Sequence, residues 1–358
     1  METQAIYRDI AKRCGGDVYI GVVGPVRTGK STFIKRFMET LVIPNITSEF
    51  ARERATDELP QSAAGRTIMT TEPKFIPEEA VKISLDDSAT LNVRMIDCVG
   101  YIVPSSLGYI ENEQPRMVVT PWFDKEIPFN LAAEIGTQKV INEHSTIGLV
   151  VTTDGSISDI PREEYEEAEQ RVVNELRQIN KPFVVLLNCT NPSAPAAVSL
   201  RASLEERYGV PVVAVNCLDL GEADIRVILS DVLFQFPVRE VAVSLPGWVT
   251  SLAPDHWLRT SLYDSIRQSA QDVERIGQLK SKITTLSECE YVSRVLVDNI
   301  DLGSGGASVS VDVKNDLFYR ILGEATGLEI PDESALMPCM VELAAVKREY
   351  DKVKCALD

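Results

Sequence analysis

The sequence predicts an α/β protein whose first part is a mainly parallel sheet with flanking helices and whose second part is a smaller α+β domain. A glycine-rich turn at 24–31 joins an apolar, strand-like segment at 18–23 to a helix-like segment. Strand-like and helix-like segments then alternate to about residue 237, which is typical of parallel sheets. This alternation stops beyond 238, so we expect domains at 1–237 and 238–358.

The turn at 24–31 matches every fixed position of the phosphate-binding loop, Gly-x-x-x-x-Gly-Lys-Ser/Thr. Its glycines let the backbone fold around a phosphate, so that N–H groups and the positive start of the helix face the negative oxygens. Lys30 would reach the β- and γ-phosphates, and the Ser31 hydroxyl would ligate a bridging Mg²⁺ ion. The first domain is therefore predicted to be a P-loop NTPase that binds its nucleotide through Gly24, Pro25, Val26, Arg27, Thr28, Gly29, Lys30 and Ser31.

Residues 44–77 are polar, contain several prolines and lack sustained periodicity, which predicts a long loop whose order depends on ligand. Within this segment, Thr70 and Thr71 are candidates for a switch in which a hydroxyl meets Mg²⁺ and a backbone N–H meets the γ-phosphate. A solvent-exposed, threonine-rich turn accounts for the same residues equally well.

Two strands are predicted at 80–85 and 91–96, and the second runs into Asp97-Cys98-Val99-Gly100. An aspartate at the end of an apolar strand can hold a metal-bound water, and Gly100 can offer its backbone N–H to the γ-phosphate. Many GTPases carry a water-orienting glutamine at the next position, which is Tyr101 here. We therefore expect slow turnover unless another subunit completes the site.

The segment at 101–128 is predicted to be an irregular insertion that covers the site, packs as a surface loop or contacts another subunit. Regular alternation follows, with its triphosphate site expected at the carboxyl ends of the strands. We predict helices at 131–142, 162–179, 199–208 and 222–236, and strands at 146–152, 183–188 and 210–215.

The residues after the strand at 183–188 bear on the choice of base. A translation-factor-type GTPase carries Asn-Lys-x-Asp there, whereas this sequence has Asn188-Cys189-Thr190-Asn191. The lysine is missing, and the acid that accepts two hydrogen bonds from guanine is replaced by an amide. The departure favours ATP over GTP, and Asn188 remains a candidate nucleotide-binding residue.

Composition excludes several classes of function. The formal net charge of −17 disfavours a nucleic-acid partner. The sequence has no apolar run of membrane-spanning length and no apolar core of a signal peptide, so the cytoplasm is the expected compartment. Seven cysteines without a Cys-x-x-Cys pair and only two histidines give little support to a zinc site or to histidine-based catalysis.

Beyond 238 the sequence predicts a long helix at 261–283, strands at 291–297 and 307–313, and helices that begin at Asp316 and Ser334. No Gly-Lys-Ser follows the loop at 303–306, so a hairpin turn is predicted there rather than a second phosphate site. No catalytic constellation is visible in this region, and we expect it to serve assembly or regulation.

Longer motifs add a family resemblance. One of these motifs is the phosphate-binding loop together with the residues that follow it, Thr32-Phe33-Ile34. The others are the segments at 57–65, 67–75, 97–101, 121–122, 143–148, 152–155 and 256–259. Together they resemble the family of stage IV sporulation protein A over essentially the whole chain. The resemblance implies a P-loop fold like that of translation-factor GTPases that nevertheless uses ATP.

The resemblance also implies a cytoskeletal ATPase of endospore-forming bacteria that polymerises, with ATP and Mg²⁺, into the basement layer of the spore coat. Its expected place is the mother-cell cytoplasm, peripheral to the outer forespore membrane. Its expected partners are further copies of itself, spore coat proteins and a small amphipathic membrane-anchor peptide. The alternative is a GTPase-like, nucleotide-dependent switch or scaffold in which hydrolysis is incidental.

Family roles carry over to matching positions. The resemblance assigns catalytic roles to Lys30, Asp97, Thr70 and Thr71 and metal binding to Ser31, Thr70 and Asp97. Thr32, Gly100 and Asn188 join the loop as nucleotide-binding residues. Family members have a further carboxyl-terminal region that helps attach the protein to the anchor peptide, and we expect this chain to stop before it.

Overall fold

The computed structural model describes residues 3–60, 73–85, 89–106, 108–111, 114–271 and 273–357. The chain divides into two compact units, and each has its own hydrophobic core. The first unit comprises Met1–Pro237, Arg275–Gly277 and Asp301–Gly305. The second comprises Val238–Glu274, Gln278–Ile300 and Gly306–Asp358.

The first unit contains most of the regular elements. In chain order they are α1 (Thr3–Arg13), β1 (Asp17–Val23), α2 (Lys30–Phe37), α3 (Glu49–Asp57), β2 (Lys74–Leu85), β3 (Ala89–Asp97), β4 (Ile110–Glu111), β5 (Gln114–Pro115), β6 (Met117–Thr120), β7 (Phe123–Pro128), α4 (Phe129–Lys139), β8 (Ile147–Thr153), α5 (Glu166–Gln178), β9 (Phe183–Asn188), α6 (Pro195–Tyr208), β10 (Val212–Val215) and α7 (Glu222–Phe234).

A six-stranded sheet with the order β10-β9-β8-β1-β3-β2 forms the centre of this unit. Its strands pair in parallel except β2, which pairs with β3 in the antiparallel sense. The predicted mainly parallel sheet with flanking helices is therefore confirmed. Because β1, β3, β8 and β9 run in the same direction, their carboxyl ends meet at one edge, where open parallel sheets bind their ligands.

Apolar side chains cover both faces of this sheet. Every residue of β8 and of β9 is buried, as expected for parallel strands that lie between two layers of helices. On one face the packing helix is α5, which contributes Val172, Val173 and Leu176 to the core. This packing makes the carboxyl-terminal edge of the sheet a rigid base for the loops that follow the strands.

A buried carboxylate fixes the end of β8 beside that edge. Glu169 accepts hydrogen bonds from both terminal nitrogens of Arg162, at 2.7 and 2.8 Å, and from the hydroxyls of Tyr208 and Thr152. Arg162 also donates to Thr152 Oγ1 at 3.0 Å. A buried carboxylate is costly unless it is paired and hydrogen-bonded, and these contacts supply both conditions.

The prediction of a long loop at 44–77 is wrong in two places. Helix α3 lies within it, capped by the Ser48 hydroxyl, which accepts from Ala51 N. Of the residues of α3 only Ala55 is buried, so the helix has no apolar stripe from which periodicity could have been read. Strand β2 also begins at Lys74 rather than at residue 80, with an irregular register between Ile76 and Val81.

The prediction of an irregular segment at 101–128 is also wrong in part. Two short antiparallel pairs, β4 with β5 and β6 with β7, occupy it. These strands are mostly exposed and too short to show a sustained alternation of apolar and polar residues, which explains why the sequence pattern did not reveal them.

The second unit is the predicted smaller α+β domain. A three-stranded sheet with the order β11-β13-β12 lies in it, and β11 pairs with β13 in parallel. The turn predicted at 303–306 lies at 302–305, between two neighbouring strands, and Gly306 begins the second of them; residues 301–305 are grouped with the first unit. The elements of the second unit are β11 (Glu240–Ser244), α8 (Gly247–Thr250), α9 (Trp257–Gln271), α10 (Leu279–Ile283), β12 (Val292–Asp301), β13 (Gly306–Val313), α11 (Asn315–Thr326) and α12 (Glu333–Leu357).

The single helix predicted at 261–283 is wrong. The structure has α9 ending at Gln271, a short 3₁₀ segment at Ile276–Gln278 and then α10. The 3₁₀ segment contains Gly277, which is unfavourable inside a helix. Among the described residues, no helix is both long and apolar enough to cross a lipid bilayer.

Candidate functional site

The loop between β1 and α2 depends on two glycines. Gly24 has φ 140°, and a Cβ atom there would lie 2.3 Å from the Val151 carbonyl oxygen. Gly29 has φ 89°, and a Cβ atom there would lie 2.3 Å from Asn188 Nδ2. Only a residue without a side chain fits either position, so the loop lies directly against β8 and the end of β9.

Lys30 is the first residue of α2, and its side chain folds back under the loop. The ammonium group donates to the carbonyl oxygens of Pro25, at 2.5 Å, and Gly24, at 3.4 Å. The side chain is almost completely buried, and this burial lowers its pKa. The loop therefore holds a positive charge where a phosphate would be cradled.

Ser31 and Asp97 meet at the same edge of the sheet. The Ser31 hydroxyl donates to Asp97 Oδ2 at 2.7 Å. Asp97 Oδ1 is buried without a hydrogen-bond partner among the described residues. Burial raises the pKa of Asp97, against the lowering effects of the Ser31 hydrogen bond and the Lys30 charge.

These two side chains fit a Mg²⁺ ion. Mg²⁺ is usually bound through one or two oxygen side chains together with substrate phosphates and water. A buried, unsatisfied carboxylate oxygen beside a serine hydroxyl is a donor set of that kind. The arrangement also explains why Asp97 Oδ1 is buried although it accepts no hydrogen bond within the described part of the chain.

The segment after Asp97 is tied to the loop through its backbone. Val26 N donates to Tyr101 O at 2.9 Å, and Tyr101 N donates to Gly24 O at 3.3 Å. Gly100 has φ 90°, and a Cβ atom there would lie 2.7 Å from Lys30 Nζ. The Gly100 backbone therefore lies next to the Lys30 ammonium group.

The Tyr101 side chain does not face the loop. Its hydroxyl donates to Glu175 Oε2 on α5, and the Arg171 guanidinium lies over its ring, 4.4 Å from the centroid. Burial and the neighbouring Glu175 raise the pKa of this phenol. Tyr101 is thus committed to packing against α5 and does not take the place of a water-orienting glutamine.

Asn188 links two loops. Its Nδ2 donates to Thr28 O at 3.0 Å, and its Oδ1 accepts from Cys217 N at 3.1 Å. The side chain is buried, and both of its polar atoms are engaged. Asn188 therefore positions the phosphate-binding loop against the loop after β10, a role that the sequence alone did not reveal.

In place of the acid that reads guanine in GTPases, this chain has an asparagine whose side chain accepts a hydrogen bond within its own turn. Asn191 is exposed, and its Oδ1 accepts from Ser193 N at 3.1 Å. Thr190 N nearby donates to Ser156 Oγ at 3.0 Å. Ser156 is a structural contact that the sequence analysis missed, although the motif Asp154-Gly155 immediately before it was noted.

The remaining predicted residues divide into three groups. Thr28 Oγ1 donates to Pro25 O at 3.0 Å, inside the loop, and Thr32 is half-buried on α2. Arg27 has φ 64°, and its Nη2 is buried without a hydrogen-bond partner in the described part of the chain. Thr70 and Thr71 lie outside the described residues.

Comparison with known proteins identifies the relatives of this chain. The family profile for the ATPase domain of stage IV sporulation protein A matches residues 1–237, and the profile for the middle domain matches residues 238–358. Stage IV sporulation protein A of Bacillus anthracis is 50% identical over 357 residues, which cover 100% of this chain and 73% of the relative. The Bacillus subtilis (strain 168) protein of that name is 48% identical with the same coverage, and the Clostridioides difficile (strain 630) protein is 48% identical over 98% of this chain and 72% of its own length.

Replacing Asn188 by alanine tests the link between the loops. The Thr28 carbonyl and the Cys217 N–H would lose their shared partner, so we expect the free energy of unfolding to fall by about 1–3 kcal/mol. Because the loop is then less well positioned, ATP affinity should fall by about tenfold. The control is Asn191→Ala, which removes only an exposed turn contact. Denaturant unfolding and ATP titration measure both effects, and equal behaviour of the two variants would contradict this role.

Asp97→Asn tests the metal site. Loss of the carboxylate charge should weaken Mg²⁺ affinity in the ATP complex by about 10- to 100-fold. Because the pKa of Asp97 is raised, its carboxylate becomes protonated at a higher pH than an ordinary aspartate. Mg²⁺-dependent ATP binding by the parent should therefore weaken as the pH falls through that pKa. The variant should lack this pH dependence. Its ligand-free form should be at least as stable as the parent at neutral pH, because a buried charge has been removed. Undiminished Mg²⁺ affinity would show that Asp97 is not a metal-binding residue.

Proposed function

Because this chain belongs to the stage IV sporulation protein A family, as its motifs predicted, we propose that its ATPase activity drives self-assembly into the basement layer of a bacterial spore coat. The chain is an ATPase, since the family's ATPase-domain profile spans residues 1–237. Its relatives are named as sporulation proteins. Polymerisation, the coat layer and the trigger for hydrolysis are the proposed extensions of these findings.

One observation carries the proposed chemistry: the buried Lys30 ammonium and the Ser31–Asp97 pair lie at the same sheet edge. We assign phosphate binding to the N–H groups of the loop and to Lys30. Ser31 and Asp97 would hold Mg²⁺, which, when bound, neutralises phosphate charge and orients the β- and γ-oxygens. Asn188 would act by positioning the loop.

In the proposed reaction, a water oxygen attacks the γ-phosphorus, the bond from that phosphorus to the bridging oxygen breaks, and ADP and inorganic phosphate form. Charge that spreads over the γ-phosphate is stabilised by Lys30 and by loop N–H groups that are already in place. We propose that the Gly100 backbone N–H and the hydroxyl of Thr70 or Thr71 contact the γ-phosphate, so that they distinguish ATP from ADP.

Water positioning is the part of the chemistry that the described residues of this site do not supply. Tyr101 is held by Glu175 and Arg171, away from the loop. We therefore propose that turnover is slow in the isolated chain and that a second copy supplies the missing group. Hydrolysis would then be coupled to assembly.

The proposed cellular role follows from the family. The protein would act in the mother-cell cytoplasm, peripheral to the outer forespore membrane. Its partners would be further copies of itself, other spore coat proteins and a small amphipathic membrane-anchor peptide. Nucleic acid is an unsuitable partner, because a formal net charge of −17 repels it.

A second candidate is a nucleotide-dependent scaffold or GTPase-like switch in which turnover is incidental. The orientation of Tyr101 favours it, since a residue held against α5 at the usual position of the water-orienting glutamine leaves triphosphate binding intact without assisting hydrolysis. The two candidates differ in whether assembly needs the chemical step.

Lys30→Ala separates the two candidates. We expect phosphate release to fall by about 10²- to 10³-fold, because one preorganised cationic donor is lost. If hydrolysis drives assembly, ATP-dependent polymer formation should disappear as well. The matched control is Lys35→Ala on the same helix, where the side chain is partly exposed and, among the described residues, pairs with Glu39 alone, at 3.9 Å. Phosphate release and light scattering are measured together. A folded Lys30→Ala variant that assembles like the control would contradict the proposal and favour the scaffold.

A further inference from the structure

Helix α12 exposes an unusual amount of apolar surface. It is 25 residues long, and it lies at the carboxyl-terminal end of the second unit. Large apolar side chains recur along it, although their exposure to water is unfavourable. A contiguous apolar surface of this kind usually marks an interaction site. Each of the following exposes 42–66% of its surface: Met337, Met340, Val341, Leu343, Val346, Tyr350 and Val353.

Most of these side chains follow a heptad pattern. Steps of three and four residues alternate from the start of α12, as in positions a and d of a coiled coil. Position a holds Leu336, Leu343 and Tyr350, and position d holds Cys339, Val346 and Val353. No glycine interrupts the series, and the one proline, Pro338, lies at position c, outside the seam.

Charged residues flank this seam in a defined order. Glu342 and Glu349 precede position a and are therefore at g, whereas Lys347 and Lys354 follow position d and are at e. In a parallel coiled coil, each g residue faces the e residue five positions later on the neighbouring helix. That places Glu342 opposite Lys347 of a second copy and Glu349 opposite Lys354.

The charges also exclude the opposite orientation. In an antiparallel pair g faces g and e faces e, which would place glutamates against glutamates and lysines against lysines. Glu349 now pairs with Lys352 of its own helix at 2.7 Å, but both side chains are largely exposed and free to exchange partners. The charge pattern of α12 is thus complementary to itself in one orientation only.

We propose that α12 is a self-association segment and that copies of this chain join through it in a parallel coiled coil. The seam is formed by residues at a and d, and the Glu–Lys pairs set the orientation rather than most of the affinity. This inference deepens the proposed self-assembly by naming a contact, but the contact needs no nucleotide and no hydrolysis. The two ideas can therefore fail separately.

Sedimentation of the 358-residue chain without nucleotide tests the seam. We expect concentration-dependent association in the parent that weakens at least tenfold in Leu343→Asp/Val346→Asp. The matched control is Met337→Asp/Val341→Asp, which makes the same chemical change on the same helix at positions b and f. All four side chains are exposed, so neither double variant should unfold the chain. A monomeric parent, or equal loss in both double variants, would overturn the proposal.

Cross-linking tests the orientation. Cys339 is a free cysteine at position d, so a parallel coil places it next to Cys339 of another copy, within the Cα separation of about 6 Å that a disulfide spans. In an antiparallel coil whose centre is the middle of the seam, the two Cys339 residues would lie about 16 Å apart along the axis. On adding diamide, which takes up the two electrons and two protons of the paired thiols, we expect a Cys339–Cys339 disulfide identified by mass spectrometry and lost in Cys339→Ser. Association without this cross-link would overturn the parallel arrangement.

The Lys30→Ala variant separates this inference from the ATP-driven mechanism. We expect it to associate through α12 like the parent, since α12 contains no part of the nucleotide site. If association without nucleotide were also lost in a folded Lys30→Ala variant, the α12 contact could not be independent of the site, and the inference would be wrong.

Discussion

Two opposite charges buried at one edge of a parallel sheet are the constraint on which the rest of the first unit depends. Desolvation lowers the pKa of Lys30 and raises that of Asp97, so each charged form is disfavoured by its surroundings. Loop carbonyls satisfy the ammonium, whereas Asp97 Oδ1 has no partner among the described residues. The divalent ion of a bound triphosphate would supply Asp97 with the partner it lacks, and the triphosphate would add an anion beside Lys30. The glycines, the Asn188 bridge and the Glu169 network hold the backbone in the form that this requires.

The sequence predicts the parts of this fold that have strong local signals. The phosphate-binding loop is predicted from the fixed residues of its motif, and the buried strands β8 and β9 are predicted from their continuous apolar runs. Helix α3 and the short strands β4, β5, β6 and β7 bury few side chains, so no periodicity reveals them. The bridge made by Asn188 at the end of β9 joins two loops that meet only in the folded chain. Tyr101 was identified as an unusual residue from its position, but its contact with Glu175 required the structure.

The two units carry different physical roles in this account. Nucleotide chemistry belongs to the first, where charges are buried and donors preorganised. Helix α12 of the second unit instead leaves apolar side chains exposed, and we propose that its flanking charges select a second copy and its direction. Both proposals invoke a second copy of the chain, which would complete water positioning at one place and cover an apolar seam at the other. Slow turnover of the isolated chain and the coupling of hydrolysis to assembly would then both follow from a nucleotide site that a second copy completes.

Calorimetric titration of nucleotide-free protein with ATP and with GTP, each with and without Mg²⁺, tests the central claim most directly. The account predicts saturable binding of ATP at one site per chain that weakens by at least tenfold when Mg²⁺ is omitted. GTP should bind more weakly, because the position of the guanine-reading acid holds Asn191, whose side-chain oxygen accepts a hydrogen bond within its own turn. The absence of saturable ATP binding by folded protein, or equal affinity with and without Mg²⁺, would contradict it.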